Sequence, residues 1–116
     1  MTVALIALAS LLALAAVGSA AGKLGRVPGV VENMHAVGVG DGQMRVLAGL
    51  ELLGAAGLLV GIWVPVIGVA AAACLALYFL GAVIATARAA RPAKEVAPPV
   101  LLMVLAIATT ALELAR

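Results

Sequence analysis

Glu51 is the residue whose position most needs explaining. It lies in "MRVLAGLELLGAAGLLVGIWVP" (residues 44–65), in a run that carries no other charge after Arg45. At ~1.5 Å of helical rise per residue, it is about 9 Å beyond Arg45. A carboxylate at such a depth in lipid costs about 2.5–3.5 kcal/mol on insertion scales, so it must face protein and find a partner. It could serve structurally, as an ion pair or as a protonated acid bonded to a neighbouring helix. It could instead hold a ligand, carry a proton or act in catalysis. Lys23 ends the first apolar run on the same side, either as a snorkelling interface anchor or as a salt-bridge partner of Glu51. His35 and Glu32 would share a face if "VVENMHAV" (30–37) is helical, and a His beside a carboxylate can shuttle protons near neutral pH. A solvated loop pair is the plainer reading of those two.

The candidate catalytic group is therefore Glu51, with Lys23 and His35 as candidate partners. The candidate ligand-binding set is Glu51, Lys23, Tyr78 and Arg88. Tyr78 is expected mainly to pack its ring, with its hydroxyl available to a buried polar group. Arg88, Arg91 and Lys94 read first as topology signals or headgroup contacts. Glu113, near the end of the last apolar run, reads as an interfacial carboxylate, and Cys74 as a small core side chain. A single cysteine excludes an intrachain disulfide and paired-thiol chemistry within the chain. No metal site is expected, because His35 and Glu32 are too few ligands. "GVGDGQ" (38–43) is a flexible loop, matching neither a phosphate-binding nor a dinucleotide-binding pattern. No cofactor is implied by these motifs.

Composition sets the environment of these residues. Of 116 residues, 66% are hydrophobic, 10% charged and 3% aromatic, and the mean hydropathy is +1.30. Soluble domains carry roughly 45–50% apolar and about 25% charged residues. The excess here is Ala, Leu, Val and Gly, small residues that let helices approach closely in lipid. The net charge of +2 comes without basic–aromatic interleaving, which argues against nucleic acid as a partner.

Apolar runs over about 2–22, 46–64, 66–87 and 97–114 each approach the ~20 residues that cross a bilayer. The expected fold is all-α, a membrane-embedded four-helix bundle forming one domain over 1–116. The first run ends in a cleavage-like "VGSAAGK" but lacks a basic leader, so it is read as a retained helix. Trp63-Val64-Pro65 makes a tight turn between the second and third spans, with Trp63 suited to the interface. The prolines of "ARAARPAKEVAPP" (87–99) are expected to stop one helix and start the next. The long first loop is expected to carry a short interfacial or re-entrant helix. Gly57 and Gly61 have the GxxxG spacing of helix contacts. Six of the seven basic residues fall in the loops 23–45 and 88–96, so the positive-inside rule places both loops in the cytoplasm and both termini outside, in the cell membrane.

The order of these features resembles the DoxX-like membrane proteins. The segments carrying the likeness are Lys23, "LAGLELLGAAGLLVGIWVPVIGVAAAACLAL" (47–77), "GAVIATAR" (81–88) and the proline-started fourth span. Lys23, Gly49, Glu51, Gly54, Gly57, Pro65, Gly68, Ala82 and Arg88 match positions of the family pattern. Many relatives place a His shortly before the terminal arginine. Here the stretch reads Thr86-Ala87-Arg88, and any role of that His is not carried over. The resemblance implies a small accessory membrane protein, since the family is associated with thiosulfate:quinone oxidoreduction and thiol-redox assemblies. Distant four-helix relatives assist assembly or bind hydrophobic ligands.

Three functions follow from this reading. The first is an accessory or assembly subunit of a membrane-associated complex, with a membrane-protein partner or a second copy of the chain. The second is binding or acid/base processing of a lipophilic molecule, such as a quinone or isoprenoid, at Glu51. The third is a proton-coupled small transporter. It is the weakest, because small multidrug transporters carry their essential Glu in the first span rather than the second.

Overall fold

The computed structural model describes residues 2–115, and every regular element in that range is helical. The helices are α1 (Thr2–Leu24), α2 (Pro28–Ala36), α3 (Asp41–Val60), α4 (Pro65–Arg88) and α5 (Ala93–Ala115). All but α2 are long and apolar enough to cross a membrane. The molecule measures 40 Å along its longest axis, enough for a ~30 Å hydrocarbon core. Its outward faces are apolar, with Val3, Leu14, Leu53, Val66 and Leu101 exposed. Lipid covers such a surface without cost, which accounts for an exterior as greasy as the interior.

The four long helices close a ring in which α1 packs on α3, α3 on α4, α4 on α5 and α5 on α1. Each buries a narrow stripe. On α1 the stripe is Leu5, Ala9, Leu12, Ala16, Ala20 and Lys23, and on α3 it is Met44, Ala48, Glu51, Ala55 and Leu58. Steps of three and four residues keep each stripe on one helical face. Lys23 thus terminates one core stripe, and Glu51 occupies the centre of another.

Glycine sets the α3–α4 contact. A Cβ on Gly54 would meet Leu75, one on Gly57 would meet Ala71, and one on Gly61 would meet the backbone of Gly68. Rising numbers on α3 oppose falling numbers on α4, so the pair is an antiparallel hairpin. The expected GxxxG contact therefore lies within the chain. The turn closes at Trp63, which is exposed.

Several boundaries differ from the sequence reading. α3 starts at Asp41, five residues before the expected span, because the Gly40 backbone N–H donates to Gln43 Oε1 at 3.0 Å and opens the helix early. Arg45 is consequently a helical residue. α5 starts at Ala93, so Pro98 and Pro99 lie inside it rather than at its start. Proline removes the bonds that would reach back to the carbonyls of Lys94 and Glu95. Those carbonyls lie in the first turn, at the polar end of the helix, where the loss is tolerated. The expected short helix in the first loop is α2, flanked by positive-φ residues Arg26 (52°) and Gly38 (85°).

Cys74 is exposed on α4 rather than buried, because the core stripe there runs through Ala71, Ala72, Leu75 and Phe79. Glu113 is the opposite case. It is 2% exposed, and its carboxylate lies where a Cβ on Gly68 would stand. The missing side chain leaves a notch beside the first turn of α4, whose helix dipole favours a negative group.

Replacing Gly61 by Ala should separate α3 from α4 and cost about 1–3 kcal/mol through overpacking. Gly49→Ala, which meets nothing within 4 Å, should leave stability unchanged or raise it by under about 1 kcal/mol. Thermal unfolding of both variants in detergent checks the contrast.

Candidate functional site

The half of the bundle nearest the long loop holds a polar cluster built from three helices. Lys23 is 7% exposed and Glu51 0%. The Lys23 ammonium reaches Glu51 Oε1 at 2.5 Å and Ser19 Oγ at 2.8 Å. The Tyr78 hydroxyl donates to the same Oε1 at 3.0 Å. Oε1 thus joins α1, α3 and α4, while Glu51 Oε2 is buried without a hydrogen-bond partner among the described residues. Ser19 and Lys23 are one turn apart on one face of α1, which is why both reach the same point. Tyr78 follows Leu75 by three residues, so the register set by the glycine contacts brings its ring alongside Glu51. Its ring stands edge-on to Phe79, with centroids 5.1 Å apart.

Of the two readings of Lys23, the ion pair is the one the fold adopts. Tyr78 both packs and bonds. His35 goes elsewhere: it is about half-exposed and lies 2.9 Å from Asp41 Oδ1, a carboxylate that also pairs with Arg26 at 3.2 Å. It contacts neither Glu51 nor Glu32 among the described hydrogen bonds. Arg88 is exposed at the end of α4, and the arginine that bonds across the loop end is Arg91. Its Nε donates to Asn33 Oδ1 at 2.9 Å, tying α2 to the turn before α5. Neither Ser19 nor the Asn33–Arg91 bond was anticipated from sequence. The four-residue step to Lys23 could have flagged Ser19, whereas Asn33 and Arg91 are 58 residues apart and share no pattern.

Beside this cluster lies a cavity of about 690 Å³ between α1, α2, α4 and α5. Val30, Met34, Leu77 and Leu102 supply apolar wall, and Ser19, Lys23 and Tyr78 supply polar groups. Glu51 itself does not line it. The space exists because α5 is buried only in its second half, at Ala106, Thr109 and Glu113. Pro98, Pro99 and Leu102 in its first half face the opening instead. α2 forms part of the cavity wall, and the Asn33–Arg91 bond ties it to the turn before α5. Thr86 also borders the cavity, its hydroxyl donating to the Ala82 carbonyl at 2.6 Å.

The sequence pattern of the DoxX-like family matches residues 7–109, which covers α2 and all but the outer ends of α1 and α5. The chain belongs to the DoxX-like family. Comparison with curated proteins and with solved structures finds no match. Lys23, Glu51, Tyr78, Asn33 and Arg91 all fall inside the matched stretch, and Glu113 falls outside it. With its four apolar helices, this DoxX-like chain is a multi-pass membrane protein.

Removing one partner of a buried ion pair strands the other charge, typically at a cost of about 3–5 kcal/mol. Glu51→Ala should therefore lower stability far more than the double variant Lys23→Met/Glu51→Gln, which removes both charges at similar volume. Unfolding of the three proteins in one detergent measures the difference. Equal losses would mean that the pair does not behave as a buried unit.

Proposed function

We propose that this DoxX-like protein binds a small lipophilic molecule in the cavity at the loop end of its bundle. The observation behind the reading is an apolar space of about 690 Å³ that opens onto Lys23 and Tyr78, the two groups that share Glu51. Small-molecule sites commonly measure roughly 300–1,000 Å³, with apolar walls and a few convergent polar groups. A quinone or an isoprenoid has the required shape, an apolar chain with a compact polar end. Glu51 acts on such a guest through Lys23 and Tyr78, since it stands behind them. Any acid/base step at Glu51 would pass through one of those two side chains.

An accessory role in a membrane complex, with a partner protein or a second copy, is the second reading. Gly42, Gly49 and Ala56 favour it: they are spaced seven apart on α3 and all are exposed. Small residues on an outward face permit close approach of another helix. In either role the loops 23–45 and 88–96 face the cytoplasm and the termini face outward, by the positive-inside rule.

Native mass spectrometry of protein released gently from its own membranes tests the choice. The expected result is a reproducible small lipophilic adduct that disappears in Ala82→Phe, a substitution at the cavity wall. A protein-sized adduct with no small one would favour the accessory reading and overturn the first. The orientation has its own check. In a Cys74→Ser background, a cysteine replacing Lys94 should react with an impermeant maleimide only after cells are opened.

A further inference from the structure

The ligand's head group can be read from the unfilled hydrogen-bonding capacity at the cavity floor. This step rests on the lipophile-binding reading above. A lysine ammonium carries three donor hydrogens and a tyrosine oxygen can both donate and accept. Lys23 gives one hydrogen to Glu51 and one to Ser19, leaving a third. Tyr78 donates to Glu51, leaving its oxygen lone pairs. Both residues line the cavity. Beside the Ser19 hydroxyl, whose oxygen accepts from Lys23, the floor therefore offers a lysine donor and a tyrosine acceptor, both tied to the same Glu51 oxygen.

Charge narrows the choice further. Lys23 and Glu95 are the charged residues that line the cavity. The charge of Lys23 is matched at 2.5 Å by Glu51, and Glu95 is half-buried in the first turn of α5. An anionic head would add a negative charge beside a neutral pair and would share the cavity with the Glu95 carboxylate. A cationic head would abut the Lys23 ammonium and leave its third hydrogen unmade. Burying an unmatched charge costs far more than burying a hydrogen-bonded neutral oxygen.

We propose that the cavity selects a neutral, single-oxygen head group, a hydroxyl or a carbonyl, on an apolar chain. The oxygen accepts from the Lys23 ammonium, and a hydroxyl in addition donates to the Tyr78 oxygen. Glu51 is a positioning residue that fixes both groups and neutralises the lysine.

The test is equilibrium binding of four matched probes to purified protein in detergent: hexadecanol, 2-heptadecanone, palmitate and hexadecylamine. The alcohol and the ketone should bind at least about tenfold more tightly than the two ions, a difference of about 1.4 kcal/mol. Tyr78→Phe should weaken the alcohol by about tenfold, the scale of one buried hydrogen bond, and leave the ketone unchanged. That split would not arise from a merely structural tyrosine. Lys23→Met/Glu51→Gln should weaken both neutral probes. Palmitate or hexadecylamine binding as tightly as the alcohol, with the signal lost in Ala82→Phe, would overturn the head-group assignment and leave lipophile binding standing. Equal weakening of alcohol and ketone in Tyr78→Phe would also overturn it. No binding of any probe would overturn both readings.

Discussion

An ion pair set between membrane-spanning helices has little bulk water to fall back on, and the loop half of this protein is arranged around that fact. The Lys23 ammonium and the Glu51 carboxylate are each costly alone, and together they make a nearly neutral unit whose attraction is little screened. Their separation of 2.5 Å requires the C-terminal turn of α1 to lie against the middle of α3. The Tyr78 bond to the same oxygen extends the requirement to α4. One carboxylate oxygen thereby restricts how three helices can slide or turn against one another, in a medium where apolar side chains gain little by preferring each other to lipid.

The opposite end of the molecule solves the same problem by packing. Gly54, Gly57 and Gly61 let α3 approach α4 until backbone meets backbone near Gly68. The notch at Gly68 also admits the Glu113 carboxylate of α5. Close approach there multiplies weak dispersion contacts. At the loop end the polar cluster includes nothing from α5, whose buried residues begin only at Ala106. The first half of α5 thus stands away from the cluster, and the cavity occupies the gap. A tight end and an open end follow from two different ways of holding helices together.

Much of this was legible in the sequence, and the exceptions share a cause. Four spans, the α3–α4 hairpin and the inward face of Glu51 follow from apolar length, a Trp-Val-Pro turn and helical phase. The family was legible in the glycine-rich stretch around Glu51. The pairing with Lys23 was visible as one of two choices, since depth and side agree while rotation about α1 is not written in any local pattern. Cys74 was misplaced because an almost wholly apolar helix gives no polar face from which to judge its orientation. In water a hydrophobic stripe announces the core, but α4 is apolar all round, and which of its faces turns inward is decided by its neighbours. Glu113 was judged by its distance from the helix end alone. Its burial depends on a missing side chain at Gly68, 45 residues earlier in the chain. The early start of α5 and the Asn33–Arg91 bond are likewise tertiary facts, set by where the chain returns.

The position of Glu51 one layer behind the cavity wall decides what the cluster can do chemically. A carboxylate facing the cavity would repel electron-rich guests and invite water or a cation. With Lys23 and Tyr78 in front, the same charge is spent orienting two side chains, so that the wall presents a lysine hydrogen and a phenol oxygen. The ion pair with Glu51 holds the Lys23 side chain by its nitrogen at the cavity wall. An ammonium paired in this way is a hydrogen-bond donor with no lone pair to offer as a nucleophile. A site of this kind is better suited to gripping an oxygen atom than to transferring a proton. The question raised by a carboxylate inside an apolar helix therefore has a physical answer: Glu51 is buried so that a lysine can be buried with it, at the edge of a space that α5 leaves unfilled.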